Sequence, residues 1–168
     1  MHAQFEAIPQ GAANHIALSP LSFLRRAATV YASHPATSFA SVTRNWAEVA
    51  LRVRSVAAGL VGLGIRLGDT VSVLSPNRPE LFELHYAVPL AGAVLNTINT
   101  RLEPETIAYI LEHSDCRLIF SDTKLAPLIQ AAFTLMGKTL PVIDIGEGEG
   151  FAETSYDDLT NVKPMDWA

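Results

Sequence analysis

The sequence predicts an α/β fold, a layered and mainly parallel sheet with crossover helices, and three observations predict it. First, residues 71–98 read strand, turn, helix, strand in fewer than thirty positions, too few for anything but a parallel pair joined by a right-handed crossover. Second, the same alternation continues after residue 100, with helical stretches of about 10–15 residues separating apolar β-branched runs. Third, hydrophobic residues make up 49% of the chain and charged residues 17%, with a mean hydropathy of +0.22. That balance suits a sheet covered on both faces, or an apolar surface that meets a further partner.

Residues 1–18 carry Pro9, Gly11 and Asn14 without periodicity and are expected to form an extended arm. Ser19-Pro20 is a cap followed by proline at the first helical position, and Leu21, Leu24, Ala28 and Tyr31 give the helix one apolar face. His34-Pro35 stops it. Thr37 to Val42 is β-prone, and Thr43-Arg44 marks the return of a small hairpin. Asn45 with Glu48 three positions on has the form of a capping box for a helix from Trp46 to Leu63. Val49, Val53, Val56, Leu60 and Leu63 line that helix, Arg52 and Arg54 fall off the line, and Gly64 closes it.

Val71 to Leu74 is the next strand. It ends at Ser75-Pro76-Asn77, with Asn77 expected as a helix cap and Pro79 in the first turn. Leu81, Phe82, Leu84, Ala87, Val88 and Leu90 supply a broad apolar face, Gly92 ends the helix, and Val94 to Ile98 form a strand. A helix from Pro104 to His113, a strand from Arg117 to Ser121, a helix capped by Asp122 and running to Leu135, and a strand from Leu140 to Ile145 follow. Ser155 to Leu159 reads as a short capped turn of helix.

At 168 residues the chain can bury a real core. A net charge of −5 argues against nucleic acid and against a basic membrane-surface patch as partners, and no apolar run is long enough to span a bilayer. One cysteine excludes an internal disulfide; with no secretory signal at residues 1–15, a cytoplasmic location is expected.

A catalytic constellation is not visible. Gly59, Gly62 and Gly64 imitate a dinucleotide fingerprint in reverse. They lie at a helix C-terminus, where the dipole repels anions, so close packing and capping explain them. Gly146-Glu-Gly-Glu-Gly150 brings two carboxylates and no lysine, and reads as a solvated loop. His2, His15, His34, His85 and His113 lack metal-ligand spacing. Glu80 and Glu83, one turn apart, have the spacing of an acid–base pair but read as a solvated face. Cys116 opens an apolar strand and reads as a buried, inert thiol. Two strand-end clusters keep functional weight: Ser75, Pro76, Asn77 and Arg78, and Asn96, Asn99, Thr100 and Arg101. The competing account is turn chemistry, with Asn and Thr satisfying backbone and Arg101 paired to an acid.

Trp46-Ala47-Glu48, Gly64 before Gly68-Asp69, Ser75-Pro76-Asn77, and Asn96-Thr97 with Asn99-Thr100-Arg101 occur in an order that resembles the N-terminal region of the adenylate-forming acyl-CoA synthetases. The likeness runs from about residue 15 to the end and is nearest the medium-chain fatty-acid, methylmercaptopropionate and acyl-activating branches. It implies an incomplete part of that family's large N-terminal domain, residues 19–168 after the arm 1–18. It also implies a two-step reaction: a carboxylate attacks the α-phosphate of ATP to give an acyl-adenylate, and CoA displaces AMP, with Mg2+ assisting.

The family's phosphate loop, ribose-binding Asp and catalytic Lys would lie beyond Ala168. The resemblance therefore carries no catalytic, cofactor-binding or metal residue onto this chain. It implies an inactive segment with nothing bound, a sheet face meant to pack on the remainder of its own chain, and self-association as another outlet for that face. It also places the neighbourhood of Lys124 near the CoA nucleotide, against the ordinary reading of a solvated lysine. The reading from another class is a self-contained α/β small-ligand or oligomerising module using the loops around Asn77 and Asn99.

Overall fold

A computed structural model describes residue 11, residues 19–148 and residues 150–167; the expected arm lies outside these, Gly11 apart. In chain order the elements are α1 (Pro20–Val30), β1 (Pro35–Phe39), β2 (Val42–Asn45), α2 (Trp46–Gly62), β3 (Thr70–Leu74), α3 (Pro79–Leu90) and β4 (Val94–Ile98). There follow α4 (Pro104–His113), β5 (Cys116–Asp122), a 3-10 turn (Thr123–Leu125), α5 (Ala126–Met136), β6 (Val142–Ile145), β7 (Thr154–Ser155) and α6 (Tyr156–Thr160).

The main sheet has five strands in the order β4-β3-β5-β6-β7, every neighbouring pair parallel. From β3 the chain crosses to β4 on one side, then returns past β3 to β5 and on to β6. These connections run in opposite directions, so one constant hand must place their helices on opposite faces. The core confirms it. Val71, Val73, Leu118, Phe120, Ile143 and Ile145 face α1, α2, α3 and α6. Leu74, Ile98, Cys116 and Ile119 face α4 and α5 through Ile107, Leu111, Ile129 and Phe133. The period of two in each strand thus feeds two cores.

Both faces of the sheet are therefore covered, and the expected bare apolar face is absent among the described residues. Exposed large apolar side chains are scattered over other elements, among them Phe23, Val30 and Tyr31 at α1, and Leu67 and Val94 at the β4 edge.

Local signals largely hold. Ser19 Oγ accepts from Leu21 N–H at 3.3 Å. Asn45 and Glu48 close their capping box with bonds of 2.9 and 2.8 Å. Replacing Asn45 by Ala is expected to cost about 1 kcal/mol in urea denaturation, and Asn45→Asp much less, because only the alanine removes the acceptor. Gly59 packs α2 on α6: a Cβ there would lie 2.8 Å from Leu159 Cδ2. Cys116 is buried, as expected.

Other expectations shift. The hairpin turns at Ala40-Ser41, with Ala40 at φ +52°, so the first strand ends at Phe39, short of the expected Val42, while Thr43-Arg44 lie in the return strand as expected. Asn77 does not cap α3: the cap position is Arg78, held extended before Pro79, with no side-chain cap bond. Asp122 ends β5 and caps the 3-10 turn, accepting from Lys124 N–H at 2.9 Å, before α5 begins. Strand β6 starts at Val142, because Pro141 has no N–H to give a ladder.

Candidate active-site cleft at the carboxyl edge of the sheet

Strands β3 and β5 are neighbours whose outgoing connections diverge, which makes the gap between their carboxyl ends the switch point where α/β sheets admit ligands. Two loops meet there. After β3 comes Ser75–Arg78; β5 ends in Asp122 and runs on into Thr123 and Lys124. Arg78 spans the gap, donating from Nη1 to Asp122 Oδ2 at 2.8 Å and from Nε to Glu80 Oε2 at 3.0 Å, with its guanidinium 5.7 Å from the Phe39 ring centroid. Burial works against the Arg78 charge, but these two carboxylates hold its pKa above the ordinary value.

A cleft of about 560 Å³ opens over this pair, walled by the β1–β2 hairpin tip, Arg44, Lys124, Asp144, Tyr156 and Asp157. Gly146 closes in from the end of β6 at φ +97°, and a Cβ there would run into Arg78 Nη1. Gly150 lies against Asp144, whose carboxylate a Cβ would overlap, while Ala152 N–H donates to Asp144 Oδ2 at 3.0 Å. The Gly/Glu loop is therefore more than a solvated loop: two of its glycines admit charged side chains.

A second crevice, of about 550 Å³, lies across the ends of β3 and β4 and brings together Ser75, Asn77, His85, Thr97, Asn99 and Thr100. The two strand-end clusters singled out from sequence do meet here. Asn99 Oδ1 accepts from Arg101 N–H at 2.9 Å, as turn chemistry requires. Asn96 instead donates to Ser72 Oγ at 3.1 Å across the sheet. Arg101, expected to pair with an acid, is exposed without an ion pair among the described residues.

The reading of Glu80 and Glu83 as a solvated face is overturned. Glu80 is held by Arg78, and Glu83 is fully buried. Arg52 Nε donates to both Glu83 oxygens at 2.8 and 3.0 Å, and Tyr156 Oη donates to Glu83 Oε2 at 2.8 Å. The Arg52 guanidinium lies 5.7 Å from the Tyr156 ring centroid. Burial lifts the Glu83 pKa above the ordinary value despite Arg52 and Tyr156, and burial beside Glu83 pushes the Tyr156 phenol well up. A partial signal for Glu83 existed: it stands directly before Leu84 and one turn ahead of Ala87 in a mostly apolar helix, on the side that is buried.

His85 is exposed, its Nδ1 2.7 Å from Leu81 O, and His113 stacks on Tyr109. His2 and His15 lie outside the described residues. Among the described residues no three His, Cys, Asp or Glu side chains cluster to hold a metal. Lys124 is exposed in the cleft without an ion pair among the described residues. The cleft does not fit a nucleoside triphosphate with the residues present. Arg78 is committed to Glu80 and Asp122, and Asp144, Glu147 and Asp157 oppose the remaining cations Arg44 and Lys124.

Comparison with known proteins places this geometry. The profile of the family described as AMP-binding enzyme matches residues 24–165. The chain is 45% identical over 125 residues to 2-methylpropanoate–CoA ligase of Humulus lupulus, covering 74% of this chain and 22% of that protein. It is 42% identical over 134 residues to peroxisomal trans-cinnamate:CoA ligase of Petunia hybrida, covering 80% and 24%. In structure it matches an anthranilate CoA ligase in complex with anthranoyl-AMP with a TM-score of 0.84 at 23% identity, over 95% of this chain and 31% of that one, a likeness of fold. The chain thus spans about a quarter of the length of the curated relatives it matches. The cytoplasmic expectation is overturned by these names, since the Petunia enzyme and two Arabidopsis thaliana relatives are named as peroxisomal. By the family match over residues 24–165 and the identity to these ligases, the chain belongs to the AMP-binding enzyme family.

Proposed function

We propose that these residues form part of an AMP-forming acid–CoA ligase, which activates a carboxylic acid with ATP as an acyl-adenylate and transfers it to CoA, with Mg2+ as the metal. The observation that carries this reading is the identity above 40% to two relatives that are both named CoA ligases. In this reading residues 19–168 are a portion of the large N-terminal domain, whose partner is the remainder of the enzyme. The acid is a small carboxylate of the kind those relatives are named for, or a fatty acid. The cleft residues contribute walls and fixed charges and supply no triphosphate site.

Acid-dependent ATP–pyrophosphate exchange tests the proposal. The protein expressed from the complete reading frame is expected to catalyse it with 2-methylpropanoate, trans-cinnamate or a fatty acid, and the 168-residue chain is expected to show none. Absence of exchange with every acid in the longer protein overturns the reading. Micromolar binding of ATP or CoA by the 168 residues would instead favour a self-contained binding module.

A further inference from the structure

We infer that Glu83 is a positioning residue for the cleft: from its buried place on α3 it holds, through Tyr156 and Arg52, the wall that α6 presents to the cavity. The inference rests on the ligase reading for its kinetic consequence and on geometry alone for its structural one.

Glu83 does not line the cleft, whereas Tyr156 and Asp157 do. Each of these two is reached from the Glu83 cluster. Tyr156 Oη donates to Glu83 Oε2 at 2.8 Å. Arg52, fixed by both Glu83 oxygens, lies over the Tyr156 ring and brings Nη2 within 4.0 Å of Asp157 Oδ1. Arg52 Nη2 is buried and makes no hydrogen bond, so the guanidinium is turned toward Asp157 without completing the contact. Phe120 also packs on the Tyr156 ring, edge-on at 5.9 Å. Helix α6 has only five residues and gains little order from its own backbone. Its start is fixed by the Ser155–Asp158 capping box and the β6–β7 pairing, and its body is held by this cluster and by the contact of Leu159 with Gly59.

The chemistry supports a geometric purpose. An apolar set of the same volume would stabilise such a site as well or better, since burying an ion pair costs more desolvation than packed hydrocarbon does. What apolar residues cannot supply is direction: two fixed acceptors for one guanidinium and one phenol.

A double variant, Arg52→Met with Glu83→Leu, separates the two roles in the enzyme expressed from the complete reading frame. Its melting temperature is expected to stay within a few degrees of the wild type, the apolar pair offsetting the acceptor that the buried Tyr156 Oη loses. Its KM for CoA is expected to rise about tenfold, with kcat within about threefold. Tyr156→Phe, a gentler change, is expected to raise the same KM about threefold. Wild-type KM values in a folded double variant overturn the inference, and so does a loss confined to kcat in step with the folded fraction. If the wild-type enzyme has no ligase activity, the ligase reading fails by itself and limited proteolysis of the 168-residue chain decides the inference. Cleavage between residues 146 and 163 is expected to accelerate about tenfold in the double variant at unchanged global stability, and an unchanged rate overturns it.

Discussion

Replacing Arg52 by Ala is expected to destabilise the chain by about 3–5 kcal/mol, because it strands a fully buried carboxylate. Glu83 would keep Tyr156 as a donor and lose both bonds from Arg52 Nε. The pH dependence follows in sign. Burial holds the folded-state pKa of Glu83 above its ordinary value of 4.5, with Arg52 the main influence pulling it down. A group with a raised folded-state pKa binds its proton more tightly when folded. Its contribution is therefore complete below the unfolded pKa and is lost as pH rises through the folded one. Without Arg52 the folded-state value climbs further, so the deficit of Arg52→Ala should be small near about pH 4 and grow toward about pH 7. Urea denaturation of both proteins at the two pH values checks this. A deficit that is independent of pH, or larger in acid, would show that Glu83 is not the charge left behind.

This cluster also marks where sequence reasoning stops. The boundaries of α2 were legible because Asn45, Glu48 and Gly64 act within one turn of the element they end. The parallel sheet was legible because Pro76, Pro79 and Gly92 punctuate one crossover, and because so few charged residues left both faces to be covered. The contacts of Arg52 were not legible. Glu83 and Tyr156 lie 31 and 104 positions away, and helical periodicity assigns a residue to a face without naming what meets it. The same holds for Arg78 and Asp122, 44 positions apart on two different strand ends. The ends of β3 and β4 were legible because Pro76 and the polar run Asn99-Thr100-Arg101 stop their apolar strands. Arg78 meets Glu80 within its own crossover but Asp122 from the next one, and only the folded sheet brings those crossovers together.

Gly146→Ala is the second large effect expected, and it tests whether the loop after β6 is built around Arg78. The backbone at φ +97° costs a side chain about 1–3 kcal/mol wherever it occurs. At Gly146 there is a second cost, because the new Cβ would meet Arg78 Nη1, with Cζ and Nη2 each 3.2 Å away. Arg78 cannot simply yield, since it is tied to Glu80 and to Asp122, whose side chain is 4% exposed. Breaking the Asp122 bond would remove about 1.5–3 kcal/mol more, as for other hydrogen bonds to charged groups. Gly148 supplies the control. Its φ of +118° carries a similar backbone cost, but a Cβ there would find only Thr123 Oγ1 at 3.8 Å. Gly146→Ala should therefore be the more damaging of the two, and the excess should vanish when Arg78 is also replaced by Ala, as a double-mutant cycle in urea would read. An excess that survives the loss of Arg78 would mean that the backbone alone demands glycine at 146, and that the Arg78–Asp122 bridge stands independent of the loop beside it.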